Sequence, residues 1–513
     1  MKIVNKAQMY EIDKRAQKEF FLPVVAIVEQ VGYQLALEIK QFSLARAGKK
    51  ICIVAGKGNN AADAFVAARY LASWEFKVKI FLLDAVKDLN EVALGSLEVL
   101  KALDLDISYF NTENTWDRFS INLRLCDVIV DAVLGIGFVG RLTDVYERAI
   151  TIMNEIDIPK IAIDLPSGSY ADTGEIPTIA VKASMTLSIC LPKMGVFLAP
   201  TCQNVGILKI IATNIPNCLL EQYAQQELIT RQLVKKYLPE RNRHAHKYQV
   251  GKASILAGNM HTLGASVLAT EACLRTGAGI VDLFTPESVY VPVATKLTEA
   301  MVYAIADEPV ETALQKFLHS ANNSKAVLVG PGLGNNKTTR EFIPYILEKL
   351  KVPLVLDADA LNVVGNHLEL LKQYPNEVVI TPHTGEFSRM INVSGFEIET
   401  NKLEYARQYA QQWKITIVLK GSVTVVATPT GYVYVNNQPV PAMATAGMGD
   451  VLAGMIASLL AQGLDAERAS VSAVYLHTQA ARLIEQQEQF SQGVVASDLI
   501  KYIPKTLYKL ASD

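Results

Sequence analysis

KKICIVAGKGNNAADAFVAARYLASW, residues 49–74, passes from a β-branched apolar run through a glycine turn into a stretch with apolar residues at helical spacing. An apolar run this continuous reads as a strand buried on both faces, and the helix after it makes one βα unit of a parallel sheet. Outward from it, KVKIFLL (77–83), CDVIVDAVLG (126–135) and PKIAIDLPSG (159–168) repeat the strand pattern, and LNEVALGSLEVLKAL (89–103) repeats the helical one. The alternation restarts with KASILAG (252–258), KAVLVGPGLG (325–334), VPLVLDADALN (352–362), EVVITPHTGE (377–386) and KITIVLKG (414–421). Between the two series lies a polar, Gln-rich stretch, residues 217–249, with basic residues near its end. The chain therefore reads as two α/β units, the first doubly wound, with domains at 1–225 and 226–513.

The 513 residues suit two or three domains. Half are hydrophobic, which is ample for large cores and excludes a disordered chain. Lys plus Arg (49) nearly balances Asp plus Glu (51), so no nucleic-acid or membrane-surface partner is expected. No apolar run is long enough for a spanning helix, and the charged start MKIVNKAQMYEIDKRAQKEF does not read as a signal peptide. Six scattered cysteines without a CxxC pair suit reduced thiols in a cytoplasmic protein.

In open α/β sheets ligands sit beyond the carboxyl ends of the strands, where helix N-termini offer free N–H groups to anions. Asn59, Asn60 and Asp63 occupy one such end; Asp63 reads equally as a helix cap. A second end carries Asp131, then the glycine turn Gly135, Gly137, Gly140 and Arg141; a third carries Asp164, Pro166, Ser167 and Gly168. Three adjacent ends of this kind predict one pocket.

In the second half, TAGMGDVLAGMIASLLAQG (445–463) opens a helix at Gly447 and Gly449, with Asp450 in its first turn. Free N–H groups there can stabilise a transferring phosphoryl group, and Asp450 can take a proton from a nearby hydroxyl; the alternative is a glycine turn with a capping Asp. VGPGLG (329–334), DADALN (357–362), TPHTGE (381–386) and LKGSVT (419–424) add glycines, acids and His383 at other strand ends, the last followed by a strand pair in VTVVATPTGYVYV.

The first half resembles the YjeF N-terminal domain, the NAD(P)H-hydrate epimerase family, through GKGNNAADAFVAARYL, DVIVDAVLGIGFVGR, DLPSGSYADTG and LPKMG (191–195). The resemblance implies a Rossmann-like fold and a potassium ion held by Asn60, Asp131 and Ser167. It also implies a hydrated nicotinamide nucleotide lined by Asn59, Asn60, Ala61, Ala62 and Asp63, by Gly135, Ile136, Gly137, Phe138, Val139, Gly140 and Arg141, and by Asp164. Asp164 is the expected catalytic acid/base; Lys193 either assists or is a solvated lysine at a strand end. The family loop reads GNNGGDG, whereas this chain has Ala61, Ala62 and Ala64 in the glycine places. If those positions are ordinary first-turn residues, alanine favours the helix; if φ is positive or the ligand rides on the backbone, each methyl obstructs.

The second half resembles the ADP/ATP-dependent NAD(P)H-hydrate dehydratases of the ribokinase-like fold, through the motifs above and HKYQVGKASILAGNMHTLGASVLATEACLRTGAGIV (246–281). By position, the resemblance places Ala265, Gly332, His383 and Asp450 on the hydrated dinucleotide, with Asp450 catalytic. It places Lys420, Gly421, Ser422, Val423, Thr424 and Gly449 on ADP or AMP, with Mg²⁺ accompanying the ADP. Met448 stands where the family usually has Ser or Thr. The implied activity is repair of hydrated NADH and NADPH: epimerisation of R and S forms, and ADP-driven dehydration of the S form. A homo-oligomer is expected. The rival reading is a ribokinase-like small-molecule kinase fused to a non-catalytic binding domain.

Overall fold

The computed structural model describes every residue except 111–113, 242–243, 307–308 and 513. Its contacts divide the chain into two compact units, Lys2–Gln226 and Glu227–Asp513, the latter joined by Met1.

The first unit is built on a parallel sheet of β1 (Lys50–Ala55), β2 (Lys77–Leu82), β3 (Asp106–Tyr109), β4 (Val128–Ala132), β5 (Lys160–Ile163), β6 (Met185–Ile189) and β7 (Ile207–Ile211). Its order is β3-β2-β1-β4-β5-β6-β7, so the chain runs to one edge and then reverses. The reversal puts the ends of β1, β4 and β5 side by side, the topological switch point where such sheets bind ligands. Helices α1 (Lys6–Glu19), α2 (Val24–Leu44), α3 (Asn59–Ser73), α4 (Glu91–Ala102) and α5 (Asp144–Glu155) accompany it. Helix α3 is buried nearly all round, with Ala61, Ala62, Ala64, Ala67 and Ala68 at 0% exposure. It approaches α2 so closely that a Cβ on Gly32 would lie 2.4 Å from the Val66 side chain.

In the second unit the strands are β8 (Lys252–Leu256), β9 (Ile280–Pro286), β10 (Met301–Ile305), β11 (Ala326–Val329), β12 (Leu354–Leu356), β13 (Val378–Ile380), β14 (Thr416–Leu419), β15 (Thr424–Ala427) and β16 (Val433–Asn436). Across the sheet they run β10-β9-β8-β11-β12-β13-β14-β15-β16, parallel as far as β14 and antiparallel from there to β16. The antiparallel pair is the one anticipated in VTVVATPTGYVYV. Helices α6 (Leu263–Arg275), α7 (Thr384–Ile391), α8 (Met448–Ala461) and α9 (Ala466–Glu488) carry or back the site. A Cβ on Gly454 of α8 would lie 2.1 Å from the Ala269 carbonyl of α6, so only glycine permits this crossing. Val451, Ala453, Met455 and Ile456 fill the core beneath α8. Each large aliphatic side chain buried this fully stabilises the unit by about 1.5–3 kcal/mol.

The stretch 217–249 holds short helices at Asn217–Tyr223 and Arg231–Tyr237, so its polar composition marks surface elements rather than a bare linker.

Candidate active sites

In the first unit, Gly58 caps α3 with no side-chain cap bond, and the helix begins at Asn59. Asp63 therefore lies a turn inside the helix, which corrects its reading as a cap. It is 6% exposed, and burial, followed by the charge of Asp164, holds its carboxyl well above the usual range. The three alanines occupy ordinary right-handed helical positions; none has positive φ.

Asn60 joins the three strand ends. Its Nδ2 donates to the Leu134 carbonyl and to the Ile163 carbonyl, both at 2.9 Å. Ser167 Oγ donates to Asp131 Oδ1 (2.6 Å), and Ser167 N donates to Asp131 Oδ2 (2.9 Å). Leu134 N in turn donates to Ser167 Oγ at 2.8 Å. Asn60, Asp131 and Ser167 thus gather around one backbone segment. Asp131 is fully buried without an ion-pair partner among the described residues, and burial pushes its carboxyl up to about 6. An all-oxygen donor set with an uncompensated buried carboxylate fits a hard cation.

Asp164 sits just past β5 with φ +69°, a conformation unusual for a non-glycine residue and common at functional sites. It forms a buried ion pair with Lys193, whose Nζ also donates to the Ile189 carbonyl at 2.8 Å. Lys193 is 2% exposed, which overturns the solvated reading. Gly135 lies against Asn60, where a Cβ would fall 3.1 Å from its amide. Gly137 lies beside the Tyr10 hydroxyl, and its carbonyl accepts from Lys6 Nζ at 3.2 Å. Phe138 packs on Tyr170, whose hydroxyl donates to the Gly140 carbonyl. Ile136 is partly buried, whereas Val139 and Arg141 are exposed and Asn59 accepts from Asn90 Nδ2 at 2.7 Å.

Helix α1 supplies what the motifs missed. Tyr10 and Asp13 lie one turn apart on it, and both feel the charge of Asp164. Burial lifts the Asp13 carboxyl to about 6; Lys193 opposes that rise and Asp164 adds to it. Nothing in the charged opening sequence marks Asp13, because no glycine turn or strand end precedes it.

In the second unit, Gly447 caps α8 at φ +89° with no side-chain cap bond, so Asp450 is not a cap. Burial first, then the charges of Asp357, Asp359 and Glu386 against that of Lys420, push the Asp450 carboxyl up to about 7. Lys420 Nζ pairs with Asp357 Oδ1 at 3.0 Å and would lie 3.0 Å from a Cβ on Gly449. Burial favours neutral Lys420, but Asp357, Glu386 and Asp450 together raise its pKa. Asp357 also accepts from Thr381 Oγ1 at 2.7 Å, and Asp359 Oδ2 accepts from Gly334 N at 2.7 Å. DADALN, TPHTGE and LKGSVT thereby converge.

His383 bridges Lys420 in the sheet and caps α7, with Nδ1 accepting from Gly385 N and Glu386 N. Its ring is more than half exposed, with Nε2 3.6 Å from Glu386 Oε1. Gly332, at φ +62°, sits where a Cβ would lie 2.9 Å from Ala265 Cβ, so those two expected substrate contacts are neighbours. Lys420, Gly421, Ser422, Thr424, Met448 and Gly449 line one cavity of about 490 Å³; Val423 does not. Asn436, Gln438 and His477 also line it, and no motif had pointed to them.

A parallel sheet with an antiparallel extension, ending in a glycine helix start that carries an acid, is the arrangement of the ribokinase-like class. A ribokinase-like superfamily protein from Enterococcus faecalis is 26% identical, with TM-score 0.51, covering 56% of this chain and 98% of that one. An ADP/ATP-dependent NAD(P)H-hydrate dehydratase from Bacillus subtilis, co-crystallized with ATP/Mg²⁺, is 32% identical, with TM-score 0.49, covering 55% of this chain and 98% of that one. Residues 25–195 match the family described as YjeF-related protein N-terminus, and residues 253–505 match NAD(P)H-hydrate dehydratase. A bifunctional NAD(P)H-hydrate repair enzyme of Moorella thermoacetica is 33% identical over 100% of this chain and 98% of its own length. One of Thermofilum pendens is 32% identical over 100% and 97%. The chain belongs to the bifunctional NAD(P)H-hydrate repair enzyme family.

Proposed function

We propose that this protein restores hydrated NADH and NADPH: the first unit interconverts the R and S hydrates, and the second dehydrates the S form with ADP, releasing AMP and phosphate. The observation that carries this reading is the convergence of Asp450, Lys420 and Asp357 at the glycine start of α8.

In the second unit the substrate's ring hydroxyl lies at Asp450, and Ala265, Gly332 and His383 hold the dinucleotide. Lys420, Gly421, Ser422, Thr424 and Gly449 hold ADP, and Asp357 and Asp359 would help place its Mg²⁺-bound phosphate. The hydroxyl oxygen attacks the terminal phosphorus of ADP while its proton passes to the Asp450 carboxylate, and the bond to AMP breaks. Free N–H groups of α8 and the Lys420 ammonium offset the charge that develops. The ring nitrogen lone pair then expels phosphate, and loss of the adjacent ring proton restores the reduced nicotinamide. Hydroxide alone is a poor leaving group, so phosphorylation is what makes elimination possible.

In the first unit the resemblance assigns the hydrated ring to the loops Asn59–Asp63 and Gly135–Arg141 and to Asp164. Lys193 holds Asp164 in place, and Asp13 supplies a second carboxyl, raised by burial to about 6. Two carboxyls in one pocket can pass the protons needed to release the ring hydroxyl as water and to add water at the other face. Asn60, Asp131 and Ser167 would hold a potassium ion, which supplies fixed positive charge beside the substrate. We place the protein in the cytoplasm, as a homo-oligomer.

The test follows reduced-nicotinamide absorbance in mixed R and S hydrates with ADP, Mg²⁺ and K⁺. Full recovery is expected from the wild type, arrest partway from Asp164→Asn, and none from Asp450→Asn. A stable phosphorylated substrate in place of free phosphate would establish the kinase reading instead.

A further inference from the structure

The cavity beside Lys420 and Gly449 has a polar wall that the reaction does not use. His477 and Asn436 line it, each only 4% exposed, and both His477 Nε2 and Asn436 Oδ1 are buried with no hydrogen-bond partner among the described residues. Buried polar atoms are rarely left unpaired, and the neighbouring bonds show what kind of partner is missing.

Thr478 Oγ1 donates its proton to the Val474 carbonyl at 3.0 Å, so toward Asn436 it can only accept. Asn436 Nδ2 donates to it at 2.8 Å, which fixes the amide orientation and leaves Oδ1, an acceptor, as the free atom. The His477 ring bonds the Met448 backbone carbonyl, and because Nε2 has no partner the donor is Nδ1. Burial and the Lys420 charge hold this imidazole down to about 4, so it is neutral and Nε2 presents a lone pair. Both orphans are therefore acceptors. Phosphate oxygens, themselves acceptors, cannot satisfy them, and Lys420 and the start of α8 already provide for phosphate. Val440, Pro441, Met443 and Leu452 give the same cavity apolar surface suited to a flat base.

We propose that His477 and Asn436 form an acceptor pair that recognises hydrogen-bond donors on the nucleoside part of the nucleotide, its ribose hydroxyls or the exocyclic amine of its base. The proposal rests on the ADP reading given above. Both are positioning residues: they select the nucleotide and touch no reacting atom.

Calorimetric titration of the full-length protein with Mg²⁺ and ADP, 2′-deoxy-ADP, 3′-deoxy-ADP or purine riboside diphosphate tests it. One lost hydrogen bond to a buried acceptor corresponds to roughly tenfold in affinity. At least one analogue is expected to bind the wild type about tenfold more weakly than ADP. A deoxy analogue failing assigns the pair to the ribose; the purine analogue failing assigns it to the base amine. In His477→Phe and Asn436→Leu, ADP should fall toward the weak analogue while that analogue is unchanged, a pattern that general damage to the fold would not produce. Equal binding of all four by the wild type, a result independent of how the variants fold, overturns the proposal. Absence of ADP binding would overturn the nucleotide reading itself, and the acceptor pair with it.

Discussion

Asp450 and the Asp164–Lys193 pair show two ways of holding a carboxylate. Asp450 is raised by burial and by three neighbouring acids, with Lys420 the opposing charge. A base acts only when ionised, so dehydration should fail as pH drops through about 7, the value to which Asp450 is pushed. The acid limb of a kcat/KM profile with the S hydrate checks this, and a limb near the ordinary aspartate range would contradict it. Asp164 is instead locked to a lysine that is also buried. Lys193→Met would leave that carboxylate buried without its cation, at about 3–5 kcal/mol of stability by denaturant titration, and epimerisation should be lost while dehydration of pure S hydrate survives. Strand ends and glycine turns made Asp131, Asp164 and Asp450 legible in the sequence. Asp13 and His477 were not, since each sits inside a helix and acquires its neighbours only through tertiary packing.

The backbone of helix α3 is helical at its alanines. Ala61, Ala62 and Ala64 are helical and fully buried, so their methyls support the helix rather than strain it. Replacing each with glycine, as in the family loop, should destabilise the first unit by up to about 1 kcal/mol per residue, read as a lowered midpoint in urea. Backbone conformation of this kind could not be read from the residues, because alanine is compatible with a helix whether or not a ligand rests on its amides. The alternation of strands and helices was legible, because buried parallel strands and their crossover helices have distinct periods. The order of those strands was not, since it is set by crossovers between residues far apart in the chain.

At the scale of the molecule, each unit has its own hydrophobic core. Residues 2–226 produced alone should therefore fold, with cooperative thermal unfolding by circular dichroism, and should interconvert the two hydrates without ADP. Aggregation of this fragment, or its failure to epimerise while the full chain does, would show that the first unit depends on the rest. Separate cores also bear on how such a protein ages. A molecule whose first half has failed still drains one isomer and strands its mirror partner at the ring carbon. In a worn population, the proportion of the two isomers, rather than their total, would record which half had been lost.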